Sequence, residues 1–248
     1  MQALAAVAIG ILVATSALVA IRLLALHRRT RAAPELLLGA MLLLSVGVGY
    51  PLLIAASRAG GRAAGALLVV STLAVNVGFS LLFVFTWRVF HPEARWARAL
   101  AGAGVAALML KALDRLLDVQ SRGAIHVSDE PLSESLLQTA PVLAAYLWTA
   151  WESLRYHGLM RRRVRLDLAD PAVSNRLLLW GLTALCVAVG VAVNSTAIAL
   201  RVDVLATPWV LLLSSATGLA QAVLLVLAFV PPRGYLRWVR GRAAAAGG

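Results

Sequence analysis

The feature that most constrains this chain is the length of its uninterrupted apolar runs. Between residues 3 and 230 they recur as seven blocks, separated by short segments that hold most of the charge. A helix rising ~1.5 Å per residue needs about 20 residues to cross ~30 Å of hydrocarbon. Within lipid every backbone N–H and C=O must be paired inside the protein, which leaves only helices and closed barrels. These runs are continuous rather than alternating, so they predict helices. The expected fold is an all-α polytopic membrane protein, a seven-transmembrane-helix bundle over residues 1–232, with a basic cytoplasmic tail at 233–248. The expected spans are 3–26, 34–57, 63–90, 96–117, 134–157, 176–200 and 205–230. Composition agrees, with 61% of residues hydrophobic, 14% charged and a mean hydropathy of +0.84.

Charge sets the expected orientation. The first block has no basic residue before it and is followed by "RLLALHRRTR", so it reads as an uncleaved anchor with its N-terminus outside. The segments then expected inside, 22–34, 88–98, 155–176 and the tail after 232, hold 17 Lys and Arg, against six in the outer segments. This asymmetry follows the positive-inside rule. Net charge is +12. Because the basic residues lie between apolar blocks, they point to anionic lipid headgroups on the cytoplasmic side rather than to nucleic acid. The Arg-rich composition points to a bacterial genome, and with the topology the expected location is a bacterial inner (plasma) membrane.

Several chemistries lack their residues. Cys186 is the only cysteine, so no internal disulfide or multi-cysteine metal site can form. It lies in an apolar block and is expected to pack as a small hydrophobe. His27, His91, His126 and His157 lie in or near loops, so no intramembrane metal site is expected. The last helix has no lysine for a retinal Schiff base, and no HExxH, GxSxG or Walker sequence is present. No catalytic residue, metal or cofactor is assigned.

Polar residues inside the blocks carry the functional reading. In "LMLKALDRLLDVQ", Lys111, Asp114, Arg115 and Asp118 occupy the last turns of the fourth helix, with Lys111, Asp114 and Asp118 on one face. Two readings fit: a snorkelling helix end, or one wall of an outward-facing polar pocket. In the pocket reading Lys111 pairs with Asp114, near Asn194 and Asp203. Asn194, Ser195 and Thr196 on helix 6 lie at comparable depth. So do Ser214, Ser215, Thr217 and Gln221 on helix 7, Asn76 on helix 3, and Gln138 and Thr139 on helix 5. Each alone can be an interhelical hydrogen bond of ~0.6 kcal/mol. Their joint bias to the outer half defines a candidate ligand pocket of Lys111, Asp114, Asn76, Asn194, Ser195 and Gln221.

At the inner side, Trp87, Trp96, Trp148, Trp151 and Tyr156 suit an aromatic belt, and Glu152 is placed to pair with Arg88. Arg161, Arg162, Arg163 and Arg165 form a run suited to lipid or to a cytoplasmic partner. Asp170-Pro171 reads as the cap and first residue of helix 6. After Pro231-Pro232, Tyr235 and Trp238 are expected on the membrane surface, and "RAAAAGG" as disordered. Gly39, Gly47 and Gly49 on helix 2 and Gly102 and Gly104 on helix 4 are expected to admit close helix packing.

The topology, with "FTWRVFHPEARWAR" and "ADPAVSNRLLLWG", resembles the seven-helix sensor regions at the N-termini of some bacterial histidine kinases. It is similar, too, to stand-alone bacterial seven-helix proteins of unknown function. The resemblance implies a sensor. No kinase or other output domain is expected within these residues, and the signal the resemblance implies is then expected to pass to a separate cytoplasmic partner. The leading expectation is a receptor-like sensor or ligand-binding module. The alternatives are a small transporter or channel, which needs polar residues at all depths, and a lipid-modifying membrane enzyme, which needs convergent catalytic groups.

Overall fold

The computed structural model describes residues 2–122, 132–202 and 207–247. Among them the regular structure is all helical: α1 Gln2–Thr30, α2 Ala33–Leu42, α3 Tyr50–Arg58, α4 Gly61–Phe90, α5 Arg95–Arg122, α6 Leu132–Val164, α7 Pro171–Ala199, α8 Pro208–Phe229 and α9 Arg233–Gly247. Five segments are long and apolar enough to cross a membrane: Ala5–Thr30, Ala33–Arg58, Gly61–Phe90, Pro171–Ala199 and Pro208–Phe229. Helices α5 and α6 have 28 and 33 residues but carry more charge, including Lys111 and Asp114 on α5 and Glu152 and Arg155 on α6.

The second apolar block is not one uniform helix. A π-helical segment, Leu43–Gly49, joins α2 to α3, and Pro51 follows in the first turn of α3. Proline has no N–H to donate, and wide π turns occur where the regular ladder is interrupted. The hydroxyl of Ser71 on α4 donates to the Gly49 carbonyl at 2.9 Å. At that point α4 comes close: a Cβ built on Gly78 would meet the Ser45 backbone nitrogen at 2.9 Å and the Met41 carbonyl at 3.1 Å.

Two other boundaries depart from the sequence reading. Helix α6 continues to Val164, so Arg161, Arg162 and Arg163 lie on a helix rather than in a loop. At ~1.5 Å per residue it is about 50 Å long and outreaches a ~30 Å hydrocarbon layer. Helix α7 starts at Pro171, where the Asp170 side chain accepts from the Ala172 N–H at 2.9 Å, as the Asp-Pro pair implied. The last helix, α9, runs through Gly247, where composition pointed to disorder.

Packing closes a ring: α1 touches α2 and α8, α8 touches α7, α7 touches α6, and α4 bridges α6 to α2, with α5 against α4 and α6. The core gathers Val19, Met41, Leu82, Phe83, Leu108 and Leu225 from α1, α2, α4, α5 and α8. Because apolar side chains gain little by leaving lipid, such a bundle depends on close packing of complementary surfaces.

Candidate functional site

A cavity of about 460 Å³ opens between α1, α5, α6, α7 and α8, at the end of the bundle where α1 begins. One stripe of α7 forms a wall: Cys186, Gly190 and Asn194 are spaced four residues apart and share a face. The facing stripe of α8 holds Leu211, Ser214, Ser215, Gly218 and Gln221. Ala5, Ala8, Ile9 and Leu12 bring in the start of α1. Lys111 enters from the later part of α5, Thr139 from the early part of α6, and Tyr50 from the head of α3.

The rim of this cavity is tied together by its own hydrogen bonds. The Asn194 amide donates to the Gly190 carbonyl at 2.8 Å and to the Ser214 hydroxyl at 3.1 Å, linking α7 to α8. Ser195 donates to the Thr139 hydroxyl at 3.1 Å, linking α7 to α6. Gly190 permits this closeness, since a Cβ there would stand 3.2 Å from the Thr217 hydroxyl. The deeper groups differ. Ser215 is 6% exposed and Gln221 8% exposed, both face the cavity, and neither makes a hydrogen bond to the described residues.

Of the residues expected to form a pocket, Lys111, Asn194, Ser195 and Gln221 converge on this cavity. Asn76 and Asp114 do not line it. Asn76 is 3% exposed; its Nδ2 donates to the Thr72 carbonyl of its own helix at 2.8 Å, and its Oδ1 is buried without a partner among the described residues. Asp114 is exposed. Asp203 and His126 lie outside the described residues, as do the side chains of Asp118 and Gln138. Sequence reasoning passed over Tyr50 and took Cys186 for a packed hydrophobe, yet both line the cavity, and Cys186 is only half-buried. The four-residue spacing of Cys186, Gly190 and Asn194 was the available signal.

Toward the opposite end the described side chains pack on one another. Thr86 on α4 and Thr149 on α6 share a hydroxyl–hydroxyl contact of 2.7 Å. Phe85 meets Trp180 edge-on, and Trp180 meets Phe229, across α4, α7 and α8. Glu152, 3% exposed, does not pair with Arg88. His91 Nε2 lies 2.9 Å from one of its oxygens and Arg155 3.5 Å from the other, while Arg88 stacks 4.8 Å over the Trp87 ring. The chain turn after α4 delivers His91 to α6, whereas Arg88 sits one turn earlier on α4. Trp96 and Trp151 are exposed as a belt requires, but Trp87 and Trp148 pack against the core.

Helix α9 is anchored to the head of α7. Asn175 donates to the Tyr235 hydroxyl at 2.9 Å, and Arg240 pairs with Asp170 at 3.1 Å. The Ala172 N–H, then Arg240, hold the Asp170 carboxyl below the ordinary carboxylate range. Trp238 is exposed, and Arg161, Arg162, Arg163 and Arg165 are exposed on or just after the end of α6. Among the described residues no group of three His, Cys, Asp or Glu is placed to hold a metal.

The fold and site therefore define an all-helical bundle, five of whose segments suit a membrane span, with a cavity at one end. The chain matches no family model, no curated protein and no solved structure.

Proposed function

We propose that the chain is a seven-span protein of a bacterial plasma membrane, N-terminus outside and C-terminus cytoplasmic, that acts as a receptor-like sensor. α5 and α6 supply the two further spans, and the cavity is its outward-facing ligand site. The observation that carries this reading is the one-ended cavity. Lys111, Asn194, Ser195 and Gln221 surround open space at the end away from most basic residues, while the other end is filled by Phe85, Trp180 and Phe229. A transporter needs an open polar path at every depth, whereas Phe85, Trp180 and Phe229 pack across α4, α7 and α8 toward the other end. The exposed arginines 161–163 and 165 and the α9 face with Trp238 suit anionic headgroups and a separate cytoplasmic partner. This agrees with the resemblance to histidine-kinase sensor regions.

The native thiol tests the reading. In sealed right-side-out vesicles, a membrane-impermeant maleimide should modify Cys186 from outside and not from inside. A reporter fused after Gly248 should be active only in the cytoplasm. Labelling of Cys186 from neither side removes the open cavity; labelling from both sides replaces the sensor with a transporter.

A further inference from the structure

The deep end of the cavity is specific about charge. Ser215 and Gln221 are each more than nine-tenths buried and face the cavity. Each is without a hydrogen-bond partner among the described residues. Their polar atoms are not sealed inside the protein but reach the cavity space, where a guest or water completes them. Tyr50, Thr139, Asn194, Ser195, Ser214 and Thr217 bring further neutral polar groups to the same cavity. Between them the walls are alkyl: Leu12, Val142, Val187, Val191 and Leu211. Among the described lining residues only Lys111 carries charge, and it comes from α5 rather than from the α7–α8 stripes that hold the unpaired pair.

Neutral donors and acceptors such as these suit an uncharged guest better than an ion. Transferring a charge into an apolar enclosure is far costlier than transferring a carbonyl or hydroxyl, and Lys111 on α5 is the one charged side chain among the described lining residues. A serine hydroxyl and a primary amide each donate and accept, so they satisfy carbonyl and hydroxyl groups alike. We infer that the cavity takes an uncharged, mainly apolar molecule bearing one or two carbonyl or hydroxyl groups, which hydrogen-bond to Ser215 and Gln221. The inference rests on the proposed ligand site. A volume of about 460 Å³ is within the range of small-molecule sites.

The experiment uses the full chain in lipid nanodiscs and reads the rate at which N-ethylmaleimide alkylates Cys186, which shares the cavity wall. The probes are 2-decanone, decanoate and decylammonium. The ketone should slow alkylation saturably, at lower concentration than either ion. Gln221→Leu should raise its half-maximal concentration about tenfold, equivalent to about 1.4 kcal/mol, and Ser215→Ala should raise it several-fold. The serine variant removes one oxygen and keeps the inference testable if the glutamine variant fails to fold. Stronger protection by either ion overturns the ligand class and leaves the cavity standing. A reactive Cys186 that no probe protects overturns the inference, and so does protection by the ketone that neither variant weakens. An unreactive Cys186 removes the cavity itself.

Discussion

Gly78→Ala is the sharpest test of how the helices pack. The added methyl would stand 2.9 Å from the Ser45 nitrogen and Cβ and 3.1 Å from the Met41 carbonyl. Two of these three are backbone atoms of the segment joining α2 to the π turn, so no side-chain rotation relieves them. Restoring ordinary contact requires α4 and that segment to part by about half an ångström, which also lengthens the bond from Ser71 to Gly49. Overpacking of this kind costs about 1–3 kcal/mol, against a helix-propensity gain of up to ~1 kcal/mol for replacing glycine. Gly102→Ala is the matched control, because nothing lies within 4 Å of its Cβ position and only the propensity gain applies. The two variants should differ by about 2 kcal/mol, or roughly 4–8 °C in melting temperature for a chain of this size. Thermal unfolding in one detergent, followed by circular dichroism, measures the difference. Equal melting temperatures, or a higher one for Gly78→Ala, would refute the close approach of α4 to the π segment.

Gly104→Leu should also destabilise, since even a Cβ there would meet the Phe83 ring at 2.5 Å; the cost is ~1–3 kcal/mol, moderated because the ring can move, and the same melting assay reads it. Glu152→Ala removes the carboxylate that lies 2.9 Å from His91 and 3.5 Å from Arg155 and opens a gap in a buried site, so a lower melting temperature is expected in heat unfolding. Glu152→Gln should recover part of it by keeping one hydrogen bond. Asp170→Ala should cost about 1 kcal/mol at neutral pH through the lost cap. The Asp170 carboxyl is held below its ordinary value, so its stabilisation is present above the unfolded-state pKa and fades as pH falls through the lowered one. The gap between wild type and Asp170→Ala in melting temperature should therefore shrink below about pH 4.

Helix identity was legible along the chain because the lipid solvent leaves an apolar run of about 20 residues few alternatives. Asp170-Pro171 announced the start of α7 for a local reason: a carboxylate that accepts the first free N–H and a ring preset for the first turn. The stripe Cys186, Gly190, Asn194 was readable as one face of a helix, since the 3.6-residue period is a property of the backbone alone. What lies opposite that face was not readable. Lys111, Thr139, Asn194 and Gln221 come from four helices, and only the order of packing around the ring brings them to one cavity. Asn76 and Gln221 show the difference most directly. Each is a primary amide in an apolar helix, and nothing in its neighbours ranks one above the other. Asn76 sits two residues before Gly78, where α4 is pressed against the backbone of the π segment, and it turns its amide back onto the Thr72 carbonyl. Gln221 lines the cavity, together with residues of α1 and α7. The spacing between neighbouring helices, set by a few small residues and one π turn, decides which buried amide packs against backbone and which lines the cavity.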